Sequence, residues 1–211
     1  MRIPVAKDGL PIILPSFIIG GFLNYLMGWN AGMPFFIFGL FSVWFFRDPE
    51  RGIPFDPNTI IAPADGKIIK VEQVSEDPYF RREMKKVSIF MSVFNVHVNR
   101  IPCDGVVDEV RYRPGKFVVA SLDKASDDNE QNAVIIKRQN GEKVAFVQIA
   151  GLIARRIVCR LKKGDNVKRG QRFGMIRFGS RVDLFLPPYA QLTVTVGDKV
   201  NAGSSILGYI K

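Results

Sequence analysis

The chain has 211 residues, enough for one substantial core or for one domain with an accessory segment. An apolar fraction of 47% with 24% charged residues excludes a disordered or collagen-like chain. The net charge of +10 speaks of anionic partners, nucleic acid or anionic lipid, and says nothing of fold.

The first 50 residues differ from the rest. Leu10 to Trp29 runs twenty residues without a charge, and a second apolar run follows from Met33 to Phe46. Twenty helical residues span about 30 Å, a hydrocarbon core, whereas the second run reaches only about 21 Å and is short for a full crossing. Trp29 and Trp44 lie near the ends, where interfacial aromatics belong. No small-residue cleavage site separates the runs, so a signal peptide fits poorly; a buried core hairpin is the plainer alternative. Arg2 and Lys7 precede the hairpin, and Arg47 and Arg51 follow it. If it spans, both flanks face one side, and the positive-inside rule makes that side cytoplasmic. The expected division is residues 1–50 as a membrane-associated hairpin and 51–211 as the globular domain.

From Thr59 onward the pattern is of short β-like runs broken by glycine and proline, such as KIIKVEQV, GVVDEVRY, AVIIKR, KVAFVQIAG and QLTVTV. Helical periodicity shows only around Ile149–Leu161. The polar, acidic stretch Ser121–Asn132 reads as a loop. Gly164-Asp165-x-Val167-x-x-Gly170 recurs as Gly197-Asp198-x-Val200-x-x-Gly203, each a turn, an inward valine and a second turn. That echo resembles the hairpins of lipoyl and biotinyl domains. The fold expected is therefore mainly β, of barrel-sandwich-hybrid (lipoyl-like) type, behind an apolar helical hairpin. No lysine is flanked as a swinging carrier lysine would be.

Cys103 and Cys159 are far apart and in no metal-ligand spacing, and read as reduced, buried thiols, with a bridge left open. With His97 as the single histidine, a multi-histidine metal site is impossible; zinc on His97 and both cysteines is formally open but has no close ligand pair, and the reading is no metal.

Four segments stand in order: FFRDPER at 45–51, PADG at 63–66, FNVHVNRIP at 94–102 and RFGSRVDLFLP at 177–187. With the hairpin and the C-terminal Gly-Asp turn, this ordered set resembles the phosphatidylserine decarboxylase family in its short, pyruvoyl-dependent form. The resemblance implies a proenzyme that cuts itself between Gly179 and Ser180 into chains 1–179 and 180–211, which stay together as a heterodimer. Ser180 Oγ would attack the Gly179 carbonyl, moving the chain from amide to ester; elimination and hydrolysis would then leave a pyruvoyl group at residue 180. Glycine leaves that carbonyl unshielded, and the hydroxyl needs a base. The base implied is His97, oriented by Asp65.

Many bacterial members carry two histidines here, three residues apart; this chain has Arg100 at the second place, so the sequence leaves open whether His97 serves cleavage, decarboxylation or both. The pyruvoyl cofactor, without pyridoxal phosphate or metal, would hold the serine headgroup as a Schiff base and act as an electron sink for loss of carbon dioxide, giving phosphatidylethanolamine. The plain alternatives are a turn at Gly179-Ser180, a core role for His97 and an ordinary Asp-Gly turn at Asp65.

Ten basic residues lie between Arg155 and Arg181 against the single acid Asp165, a run expected to face anionic lipid and its phosphate on the cytoplasmic face of the inner membrane. No nucleic-acid module is recognisable. Rival functions are an archaetidylserine decarboxylase and a non-enzymatic, membrane-tethered lipoyl-like module. Oligomeric state stays open.

Overall fold

The computed structural model describes residues 4–116, 128–152, 156–177 and 179–210. The chain divides into two compact units, Met1–Glu50 and Arg51–Lys211.

In the first unit a short 3-10 turn at Lys7–Gly9 leads into α1 (Leu10–Met27), and Gly28 joins it to α2 (Trp29–Phe45). The helix starts earlier than the second apolar run because Trp29 to Gly32 also pack as helix. A Cβ at Gly32 would come within 2.4 Å of the Gly20 carbonyl oxygen, so the backbones meet where side chains are absent. The two ends of the hairpin are tied together: Ala6 N–H donates to Phe46 O (2.7 Å) and Asp48 N–H to Pro4 O (2.8 Å). Both helices are apolar all round, with Ile18, Phe22, Leu26, Ile37 and Leu40 exposed, a pattern suited to lipid. The stretch Lys7–Met27 is long and apolar enough to cross a membrane, and α2 is shorter.

The second unit is mainly β. Its strands are β1 (Thr59–Ile61), β2 (Gly66–Val74), β3 (Met84–Met91), β4 (Val98–Arg100), β5 (Gly105–Arg113), β6 (Gln131–Lys137) and β7 (Lys143–Ala150). There follow β8 (Ile157–Cys159), β9 (Asn166–Val167), β10 (Arg172–Ile176), β11 (Ser180–Leu186), β12 (Gln191–Leu192), β13 (Lys199–Val200) and β14 (Ile206–Tyr209). One sheet has the order β13-β2-β3-β11-β7-β6-β5-β9, and two small ones the orders β1-β14-β12 and β4-β10-β8.

These orders describe a duplication. Exchanging β1 with β4, β2 with β5, β3 with β6, β11 with β7, β12 with β8, β13 with β9 and β14 with β10 reverses the large sheet onto itself and swaps the two small ones. Irregularities repeat as well: β2–β3 slips between Ile68 and Lys70, and β5–β6 between Val107 and Glu109. So do individual bonds. Gly203 N–H donates to Ala62 O and Gly170 N–H to Ile101 O, both at 2.9 Å. In sequence, Pro63-Ala64-Asp65-Gly66 corresponds to Pro102-Cys103-Asp104-Gly105. The copy formed by β4–β10 is inserted whole between β3 and β11 of the other, and β7 and β11 pair with each other at the pseudo-twofold axis.

The main core lies on the sheet's inner face, with Ile89, Val134, Phe146, Val182 and Leu184 among its members; Ala133, Ala145, Val147 and Phe185 form a smaller cluster on the outer face. Strands buried on both faces explain runs such as AVII that do not alternate. Cys103 and Cys159 are free thiols, and burial pushes Cys103 up to about 12.

Three expectations change. Ile149–Leu161 contains the end of β7 and all of β8, with no helix among its described residues. Gln131 and Asn132, read as loop, open β6 and are buried, while 121–127 lie outside the described residues. Of QLTVTV only Gln191–Leu192 pairs as strand. The lipoyl-like expectation rested on the Gly-Asp turns; the topology adds the duplication and does not by itself establish that fold.

Candidate active site

Ser180 is the first residue of β11, paired through the backbone with Met91 of β3 on one side and Ala150 of β7 on the other. The residue before it, Gly179, has φ +59°, and no atom of the described residues lies within 4 Å of where its Cβ would be. The other copy explains the geometry. Gly141 (φ +85°) stands at the same place before β7, closing a hairpin turn in which Gly141 N–H donates to Arg138 O at 3.0 Å. Gly179-Ser180 therefore occupies a hairpin-turn position whose loop has been replaced by an entire second copy.

Ser180 is fully buried, and its hydroxyl donates to the thioether of Met91 (Oγ–Sδ 3.3 Å). A thioether is a weak acceptor, so little holds the hydroxyl in place. Asn99 Nδ2 lies 3.8 Å from the same sulfur. Behind Asn99 stand Gln148 and Asn132, also buried, joined by Gln148 Nε2 to Asn99 Oδ1 (2.9 Å) and Asn132 Nδ2 to Gln148 Oε1 (3.2 Å). None of these carboxamides was foreseen from sequence; the available signal was Gln148 interrupting the apolar inward positions of KVAFVQIA.

His97 is fully buried just before β4, two residues from Asn99. Its Nδ1 is 2.9 Å from the Asn95 carbonyl oxygen. A carbonyl only accepts, so Nδ1 carries the proton and Nε2 the basic lone pair in the neutral ring. Asn95 is itself fixed, its Oδ1 accepting from the Ser92 N–H (2.9 Å) and the Ser92 hydroxyl (2.8 Å).

Asp65 is buried, with Oδ1 accepting the Ala202 N–H (2.7 Å) and Oδ2 accepting from Arg51 Nη2 (2.8 Å). Its counterpart Asp104 accepts the Arg169 N–H at the same 2.7 Å. The Ala202 bond is therefore architecture common to both copies. Arg100 N–H donates to Pro63 O (2.9 Å), which sets the PADG turn beside β4. The Arg100 side chain is buried and reaches the Gly170 carbonyl (3.1 Å).

The basic run is not one face. Arg181 is fully buried and forms a two-pronged ion pair with Asp183 (2.7 Å each), with Lys86 3.7 Å from the same carboxylate. Arg169 binds Asp56 O and Thr59 Oγ1. Arg156, Arg160, Lys162, Lys163 and Lys168 are exposed; Arg155 and Phe178 lie outside the described residues.

The profile of the family described as phosphatidylserine decarboxylase matches residues 38–208, a span that includes Asp65, His97, Gly179 and Ser180. The chain belongs to the phosphatidylserine decarboxylase family. The phosphatidylserine decarboxylase proenzyme of Cupriavidus taiwanensis is 52% identical over 204 residues, covering 96% of this chain and 94% of its own. That of Ralstonia pickettii is 51% identical over 203 residues, with 96% and 94% covered. That of Burkholderia vietnamiensis is 48% identical over 207 residues, with 98% and 96% covered. The family match thus spans both copies of the β unit and reaches into α2.

Proposed function

We propose that this family member is a self-processing proenzyme that decarboxylates phosphatidylserine to phosphatidylethanolamine at the cytoplasmic face of a membrane. The observation that carries the reading is the left-handed Gly179 immediately before a buried serine whose hydroxyl, among the described residues, donates to a thioether. In the first step Ser180 Oγ bonds to the Gly179 carbonyl carbon, and the C–N bond to Ser180 breaks. The proton leaves Oγ and is delivered to the departing nitrogen, with His97 Nε2 as the carrier. The Asn95 carbonyl keeps that nitrogen basic by holding the proton on Nδ1. Asp65 contributes by fixing the PADG turn against β4 and by placing its charge, shared with Arg51, in that region.

The residue-180 position fits a pyruvoyl group. It is enclosed, its backbone is held by strands on both sides, and the glycine before it adds no side chain. A pyruvoyl carbonyl there supplies an electron sink for decarboxylation of the serine headgroup. His97 is the proton donor we assign to the carbon that loses carbon dioxide. The helical hairpin anchors the enzyme, and the exposed basic residues from Arg156 to Lys168 attract anionic headgroups by about 1 kcal/mol each near the surface.

The test is Ser180→Ala. One uncut chain without decarboxylase activity is expected, since nucleophile and pyruvoyl precursor are both removed; a variant that still splits at 179–180 would contradict the reading.

A further inference from the structure

We propose that Asn99 donates an N–H to the Gly179 carbonyl oxygen as it becomes an oxyanion during self-cleavage, and that Gln148 and Asn132 fix which end of the Asn99 amide faces Ser180. The inference rests on the self-processing reading above and assigns residues within it.

The orientation of the chain of carboxamides follows from one fixed point. Gln148 Nε2 lies 3.3 Å from the Val158 carbonyl oxygen as well as 2.9 Å from Asn99 Oδ1. A backbone carbonyl cannot donate, so this end of Gln148 is its amide nitrogen. Its oxygen is then the end that accepts Asn132 Nδ2 at 3.2 Å. Asn99 must present its own oxygen to Gln148, which leaves Nδ2 pointing to the Met91 sulfur that also receives the Ser180 hydroxyl. At 3.8 Å a thioether is a poor partner for an amide, so the N–H groups of Asn99 remain available to a better acceptor.

Burial adds weight. Asn99 and Gln148 are fully buried and Asn132 nearly so, at the Ser180 end of an otherwise apolar inner face. Burying three carboxamides there stabilises nothing that leucine would not, so the layer specifies a donor direction. When Oγ bonds to the Gly179 carbonyl carbon, negative charge collects on that oxygen; it returns to the carbonyl as the C–N bond breaks and nitrogen takes the proton. A donor fixed in advance at that oxygen lowers the barrier without reorganising.

The experiment follows cleavage of freshly made full-length precursor in vesicles, from pH 5 to pH 8. It compares wild type with Ser180→Ala, Asn99→Asp, Asn99→Leu and Gln148→Met, and thermal unfolding is recorded on each. Asn99→Leu is expected to slow cleavage about 100-fold at every pH. Asn99→Asp should be as slow at pH 8 but recover toward wild type as pH falls, because a protonated carboxyl of the same shape can donate and burial favours that form. Gln148→Met should slow cleavage about 10-fold by letting the Asn99 amide turn over.

Wild-type rates in Asn99→Leu would overturn the proposal. So would an Asn99→Asp variant equally slow at all pH, since a purely structural role gives no pH-dependent recovery. If Asn99→Leu fails to unfold cooperatively, the Asn99→Asp profile decides. Failure of wild type to split, or splitting of Ser180→Ala, would instead sink the self-processing reading itself.

Discussion

His97 is the only imidazole in the chain, and its Nδ1 is committed to a carbonyl presented by a tight turn at Ser92–Asn95. His97→Ala is therefore expected to slow cleavage by about 10² to 10⁴, the range of a positioned general base. Cleavage at the normal rate, followed on a denaturing gel after synthesis, would move the base elsewhere. The duplication supplies a control for Asp65 that the sequence alone does not suggest. Asp65 and Asp104 make the same bond to a backbone N–H, but Asp65 lies beside Arg51 and the PADG turn that abuts β4. Asp104→Asn should cost stability without slowing cleavage, while Asp65→Asn, which also loses the Arg51 ion pair, should cost somewhat more stability and slow cleavage. Equal cleavage rates in the two variants would reduce Asp65 to architecture.

At the scale of elements, the proposed chemistry rests on the turn before β11. Gly179→Ala is expected to cost about 1–2 kcal/mol, because a Cβ is disfavoured at positive φ, and to slow cleavage as the turn relaxes toward negative φ. Since no atom of the described residues crowds that Cβ position, an unchanged rate and melting temperature would show the conformation to be incidental. The hairpin α1–α2 makes a separate expectation. Removing residues 1–46 should release the remainder from membranes in high salt, where attraction between basic residues and headgroups is screened. Continued sedimentation with membranes would count against the hairpin as anchor.

These elements also mark what could be read in the sequence. The apolar hairpin was visible because uncharged length is a local feature, whereas Gly179-Ser180 and His97 stood out only through the ordered set of four segments that resembles the family; alone, each reads as a turn or a core residue. The carboxamide layer was not visible, because Asn132 and Gln148 come from strands that meet only through the β6–β7 register. Gln131-Asn132 at the end of an acidic stretch reads as loop, and only the sheet reveals it as the start of a buried strand.

For the whole molecule, the interleaving of the two copies fixes what the proposed cut at 179–180 can do. The Gly-Asp echo was legible as two turns, yet the larger repeat was hidden because one copy is nested inside the other instead of following it. A cut at 179–180 falls where the outer copy resumes. The fragment 180–211 supplies β11, between β3 and β7 in the large sheet, with β13 paired to β2 and β14 to β1. It should stay bound to 1–179 without any covalent link. Intact mass of one purified sample, measured under native and then denaturing conditions, tests the central claim most directly. The account predicts a single assembly that separates on denaturation into 1–179 and 180–211, the smaller lighter by one ammonia than a serine-started peptide and blocked at its N-terminus. A single unbroken chain of 23.7 kDa, or a smaller fragment that begins with an ordinary serine amine, would contradict it.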